Sequence, residues 1–335
     1  MSNWYIQSGK DFDVVVSTRI RFSRNLAEFR FNTNQNEAKQ IEKIIEEKAN
    51  EIGYNLKFLR LKDMDEITKL SLVEKNIISP ELATKEKTGA ILVNEEENIC
   101  IMINEEEHLR IQVFNSGLEL ESTLALAIEV DEKIQELLNI AKSKEYGYLT
   151  TCPTNVGTGM RASVMVHLPG LTKTGNIRKI LNTITSFGME IRGTHGENTK
   201  SEGDMYQISN KQTLGITEED IAKKLKIITE KIIEQERLAR KYLAKDTIEL
   251  EDKVYRSYGI LKNCRTISQN EAIRLLTDVK LGTDMGIIKE MTDKKISKLY
   301  LYIKSANLQK YFGTKMDTQE KEIKRAELIR NIMES

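Results

Sequence analysis

Three short apolar runs, at 89–94, 99–104 and 109–114, follow one another at a spacing that leaves room for little except neighbouring strands. A charged turn joins the first two, which read as a β-hairpin, and the third reads as a further strand ending at the Asn-Ser-Gly turn of 115–117. Residues 14–22 alternate with period two, so Arg19 and Arg21 project from one face of a strand while Ile20 and Phe22 take the other. Further strands are expected at 161–168 and 205–209. Between them lie helical stripes: 36–52, with apolar residues at 38, 41, 44, 45, 49 and 52 and a stop at Gly53; 120 to about 141; and 176–187, ending at Gly188.

After Pro169 the chain has no proline, and its last third reads as almost purely helical. A long amphipathic helix runs from Thr217 to about Lys245, and Ser268-x-x-Glu271 and Asp317-x-x-Glu320 mark later helix starts. The pattern predicts an α+β domain over 1–245 and a small all-helical domain over 246–335.

Composition excludes several functions. Lys+Arg and Asp+Glu both number 51 in 335 residues, so bulk attraction to nucleic acid or to an acidic membrane is unsupported, and an anion site must be built from placed arginines. Cys100, Cys152 and Cys264 are too scattered for a disulfide framework or a zinc site. His108 and His195 are not at metal-ligand spacing, and His167, in an apolar strand, reads as a satisfied core histidine. With no apolar leader or run of membrane-spanning length, a cytoplasmic location is expected.

Arginines recur at strand ends. Beyond Arg19 and Arg21, the stretch Asn104-Glu105-Glu106-Glu107-His108-Leu109-Arg110 follows three acids with a third arginine. In 151–170, a Cys152-Pro153-Thr154-Asn155 turn precedes Gly157, Thr158 and Gly159, whose backbone can approach an anion, and then Arg161. The loop 192–203, beginning Arg192-Gly193-Thr194-His195-Gly196-Glu197, is too polar for core and joins two predicted strands.

Taken in order, Ser17-Thr18-Arg19-Ile20-Arg21, the acidic stretch, Cys152 to Thr158 and the Arg192–Glu197 block resemble the signature motifs of the ATP:guanido phosphotransferases. The resemblance implies an antiparallel sheet flanked by helices, and transfer of the ATP γ-phosphoryl group to a guanidinium nitrogen. It implies nucleotide contacts from Ser17, Thr18, Arg19, Ile20, Arg21, Asn76, Arg110, Arg161, Ala162, Ser163, Val164, Met165, Arg192, Gly193, Thr194, His195, Gly196 and Glu197. Mg²⁺ would ride on the nucleotide phosphates. Glu106 and Glu197 match the substrate carboxylates and base candidates, and Cys152 the reactive thiol. Asn76 stands where relatives commonly have a histidine. Glu107 replaces the usual aspartate, a change expected to be tolerated.

The small-molecule kinases of the family carry a helical domain ahead of the first arginine block, which here begins at Ser17, with a helical extension after the kinase region instead. That arrangement resembles the branch acting on arginine within proteins. In that branch Lys321, Glu322, Arg325 and Ala326 align with a phosphoarginine pocket, with Lys for Arg and Glu for Asp. Partners implied are arginine-bearing proteins, among them a heat-shock repressor and damaged proteins marked for Clp-type degradation under stress, a zinc-binding activator, a Clp ATPase and a second copy of the chain. The competing readings are a small-molecule guanidino kinase and a non-catalytic phosphoarginine-binding adaptor.

Overall fold

The structure, a computed structural model, describes residues 3–85, 87–193, 196–197 and 202–335, the pair 196–197 by backbone alone. Its strands are β1 (Val15–Arg24), β2 (Lys57–Arg60), β3 (Ala90–Val93), β4 (Ile99–Ile103), β5 (Leu109–Ser116), β6 (Lys142–Ser143), β7 (Gly147–Tyr148), β8 (Met160–His167), β9 (Met189–Gly193), β10 (Gly196–Glu197) and β11 (Met205–Asn210). Nine form one antiparallel sheet in the order β10-β9-β11-β8-β1-β5-β4-β3-β2; β6 and β7 pair separately.

The helices are α1 (Gln35–Ile52), α2 (Glu66–Glu74), α3 (Pro80–Ala83), α4 (Leu120–Leu137), α5 (Pro169–Lys173), α6 (Ile177–Ser186) and α7 (Glu218–Leu243), then α8 (Thr247–Asn263), α9 (Gln269–Asp284), α10 (Asp293–Tyr302), α11 (Ser305–Phe312) and α12 (Thr318–Glu334). Apolar faces of α1, α4 and α7 bury one side of the sheet, where Ile20, Phe22, Ile111, Ala162, Val164 and Ile208 meet them. On the other side, α2 and α3 cover only the β3–β5 portion, through Leu72, Ile77, Leu82, Cys100 and Met102. The rest of that side is left for polar residues. Helices α8 to α12 bury a core of their own. Among the described residues, no helix is long and apolar enough to cross a membrane.

One predicted helix stops early. Helix α4 ends at Leu137 rather than near 141, because the chain beyond it is drawn alongside the continuation of β1: Ala27 N donates to Asn139 O (2.9 Å) and Ala141 N to Asn25 O (2.8 Å).

Buried charges hold the helical layer to the sheet. The Glu74 carboxylate caps α11 by accepting from Ala306 N and Asn307 N, both at 2.8 Å, and Lys304 Nζ donates to Glu74 O at 2.7 Å. Lys280 Nζ donates to Phe12 O (3.2 Å) and pairs with Asp284 (2.9 Å), while Arg240 joins Glu236 (2.7 Å) and Asp13 O (3.0 Å).

His167 is fully buried beside this network, but it is not satisfied as the sequence reading expected. Among the described residues neither ring nitrogen has a hydrogen-bond partner. Burial, then the charges of Lys280, Arg240 and Lys173, push its pKa well below the usual value. An imidazole that protonates in the unfolded chain but not in the folded one makes stability fall as pH drops below about 6.5. Denaturant midpoints between pH 7 and 5 should show that decline, and His167→Leu should flatten it.

Candidate active site

Strand register assembles the site. Antiparallel pairing sets Arg21 opposite Arg161 and Arg19 opposite Ser163 across β1–β8, and Ser23 opposite Arg110 across β1–β5. Gln207 lies between Met165 and Arg192 through β11. Because side chains alternate, all five arginines emerge on the uncovered face, into a cleft of about 1280 Å³.

Three of them already meet carboxylates. Arg110 pairs with Glu105 (3.0 Å) and Glu106 (3.3 Å); Arg161 and Arg192 both pair with Glu190 at 2.7 Å. Arg19 donates to Gln207 Oε1 at 3.1 Å. Arg21 Nε is sealed from solvent with no hydrogen-bond partner among the described residues. Lack of solvent, followed by repulsion from Arg110, Arg161 and Arg192, pushes the Arg19 pKa down to about 10, and Arg21, crowded also by Arg19, lies well below the usual value. Guanidinium does not deprotonate to relieve such crowding at neutral pH, so the cluster favours a multiply charged oxyanion.

Other members of the predicted nucleotide set face elsewhere. Side chains of Ile20, Ala162 and Val164 are core, and Thr18 Oγ1 donates to Gly117 O at 2.6 Å, so the sheet turns these four away from the cleft. Ser17, Met165 and Gly193 line it. Asn76 lines it too, at φ +62° directly after α2, a left-handed position that asparagine adopts more readily than most residues. Thr194 and His195 lie outside the described residues. Gly196 and Glu197 are placed by backbone pairing with Gly193 and Arg192, and the Glu197 side chain lies outside the described atoms.

The thiol sits at the rim. Cys152 Sγ is 3.1 Å from Thr154 Oγ1, on a short 3-10 turn, Pro153–Asn155. Beyond it the turn requires glycine: at Gly157 (φ +112°) a Cβ would lie 2.2 Å from Thr213 O, and at Gly159 (φ +62°) 2.5 Å from Arg24 Nη1. Arg24 itself is buried, paired with Asp131 at 2.7 Å, and donates to Thr158 O, fixing the turn that leads into Arg161.

Sequence reasoning missed what positions the thiol. The buried Glu107 carboxylate accepts from Asn25 Nδ2 (2.6 Å), Thr151 N (2.7 Å) and Cys152 N (3.3 Å), tying the acidic stretch to the cysteine turn. Nothing in a run of three acids marks the third as buried. Glu107→Ala should therefore cost about 3 kcal/mol by orphaning these donors, and should slow turnover; urea unfolding with a rate assay checks both. Glu190 was also missed, although its alternation with Arg192 in β9 places both on one face.

In α12, Ala326 is core and Arg325 is buried, donating to Ile303 O (2.7 Å) and Ile267 O (2.9 Å). Lys321 and Glu322 are half-buried on the same helix. The structure does not bring these four to the cleft lining.

A sheet face of clustered arginines with a thiol and a carboxylate at its rim defines an enzyme of phosphoryl transfer. Residues 37–239 match the ATP:guanido phosphotransferase C-terminal catalytic domain, and residues 247–335 the protein-arginine kinase McsB C-terminal domain. The chain belongs to the ATP:guanido phosphotransferase family. It is 45% identical to a protein-arginine kinase of Geobacillus sp. (strain WCH70) over 98% of this chain and 93% of the relative, and 44% identical to that of Halothermothrix orenii (98% and 96%). Among solved structures, it resembles the duplicated taurocyamine kinase of Schistosoma mansoni with bound transition-state-analogue components (28% identity, TM-score 0.62, 68% of this chain and 33% of that one). A lombricine kinase shares the fold (24% identity, TM-score 0.60, 69% and 68%).

Proposed function

We propose that this chain transfers the γ-phosphoryl group of ATP to the guanidinium of arginine residues within proteins. The observation that carries the proposal is the single sheet face on which five arginines converge, with Arg21 Nε lacking a hydrogen-bond partner among the described residues, beside a rim holding Glu106 and the Cys152 thiol. The near full-length similarity to kinases named for protein arginine supports the choice of acceptor.

The arginines hold the phosphates and offset charge as the γ-phosphoryl group moves. A guanidinium nitrogen forms the new N–P bond in line as the bond to the β–γ bridging oxygen breaks, and ADP leaves. The nitrogen's proton passes to a carboxylate, Glu106 or Glu197, because a guanidinium is nucleophilic only as it loses that proton. Glu106 is suited to meet an arriving side chain, being 43% exposed, and Glu105 is not, being paired and buried. Cleft carboxylates Glu105, Glu106 and Glu190 all face arginines, and among the described residues no three ligating groups cluster, so Mg²⁺ fits best on the nucleotide's own phosphates. Bound there, it would neutralise phosphate charge.

On the same reading, α12 contributes a phosphoarginine pocket in which Lys321 and Glu322 meet the ligand and Arg325 mainly braces the helix. The partners are a heat-shock repressor and damaged proteins as substrates, a zinc-binding activator, a Clp ATPase and a second copy of the chain. The test is ADP release in the presence of an arginine-rich unfolded protein, free arginine or creatine. Release driven by the protein supports the reading; release driven only by a free guanidino compound transfers the chain to the small-molecule branch, and none at all to the adaptors.

A further inference from the structure

The cleft has a wall that the family motifs do not include. Along β1, Ser23, Arg21, Arg19 and Ser17 face the cleft in turn, spanning about 20 Å at the usual rise of a strand. The Ser23 end adjoins the thiol: Ser23 N donates to Gly159 O (2.9 Å), and the next residues hold the cysteine turn through Asn25 Nδ2 and Leu149 O. At the opposite end, beyond Ser17 and Met165, the helical domain closes in. Lys280 of α9 donates to Phe12 O, and Ile273, Ser297 and Tyr300 of α9 and α10 line the same cavity as Arg19, Val16 and Met205. Contact here is close, since a Cβ on Gly203, just ahead of β11, would lie 2.8 Å from Thr277 Oγ1 and 2.9 Å from Ile273 Cγ2.

The γ-phosphoryl group must lie at the thiol end, where the acceptor arrives; this step rests on the proposed function. The phosphates then run back across Arg21 and Arg19, and the nucleoside falls at the end walled by the helical domain. We infer that α9 and α10 form one side of the nucleoside subsite, with the Tyr300 hydroxyl as its polar contact. Tyr300 lines the cavity, and its hydroxyl is buried with no hydrogen bond of standard geometry among the described residues; it interacts weakly with Thr277, whose own hydroxyl donates to Ile273 O (3.2 Å). A buried polar group in this position gains a partner when a ribose or purine edge arrives. Nucleotide occupancy and docking of the helical domain are then linked.

Calorimetry on the full chain with ADP and with inorganic tripolyphosphate tests this. Tyr300→Phe should weaken ADP about fivefold, the loss of one hydrogen bond, and Ser297→Trp about tenfold or more by filling the subsite, both leaving tripolyphosphate within about twofold. Independently of any variant, ADP but not tripolyphosphate should slow amide exchange over 293–302. Unchanged ADP affinity in Tyr300→Phe and Ser297→Trp, equal loss of both ligands in them, or equal exchange protection by both ligands would overturn the inference. Failure of the unaltered chain to bind either ligand would instead sink the kinase reading itself.

Discussion

Glu106→Gln is expected to lower turnover by about 10²-fold or more while ADP affinity changes by no more than about twofold. The carboxylate is at the open rim, where an acceptor arginine can reach it, and it accepts from Arg110 Nη2 at 3.3 Å. Arg110 keeps its shorter pairing with Glu105 (3.0 Å) in the variant, so the phosphate floor stays in place. What the amide cannot do is take a proton or hold the guanidinium by charge, and a positioned base is worth about 10²–10⁴ in rate. Steady-state rates beside ADP titrations separate the two effects. Parallel loss of turnover and ADP binding would place Glu106 in the phosphate site rather than at the acceptor.

Arg21→Met should move stability and binding in opposite directions. The guanidinium is held among Arg19, Arg110 and Arg161, with Nε making no hydrogen bond among the described residues, an arrangement that costs folding energy until an anion arrives. Replacing it with an apolar chain of similar reach is expected to raise the stability of the ligand-free protein by about 1 kcal/mol or more, as at other functional sites that trade stability for activity. The same change removes a fork aimed at phosphate, and ADP affinity should fall about 10²-fold. Arg19 bears similar crowding, and its own cost is constant through neutral pH and is relieved only as pH rises above about 10, where it begins to lose its proton in the fold. Thermal melts with and without ADP read both quantities, because ligand stabilisation follows affinity. A variant less stable than the parent would mean that Arg21 is a structural cation.

Local patterns carried much of the fold. The stripe at 36–52 became α1 over Gln35–Ile52, the three apolar runs became β3, β4 and β5, and Ser268 and Asp317 cap helices as their spacing suggested. Short elements without a clear period, β2, α2 and α3, were not foreseen; their form depends on the sheet they cover. The arginine face was legible in β1 from alternation alone. Its assembly was not, because Arg21 meets Arg161 through strand register between segments about 140 residues apart, which no local signal encodes. Glu107 and Lys280 illustrate the same limit: each looks like a surface charge in sequence, and each is buried by partners distant along the chain.

The central claim, phosphoryl transfer to arginine held in a protein, is tested most directly by product analysis. The full chain is incubated with ATP, Mg²⁺ and an unrelated arginine-bearing protein, beside parallel reactions with free arginine and creatine, and acid-labile phosphate is located by mass spectrometry under non-acidic conditions. The account predicts phosphate on arginine side chains of the protein, formed about 10²-fold more slowly with Glu106→Gln, and little on the free compounds. Phosphorylated free arginine or creatine with an unmodified protein, or modification confined to hydroxyl side chains, would contradict it.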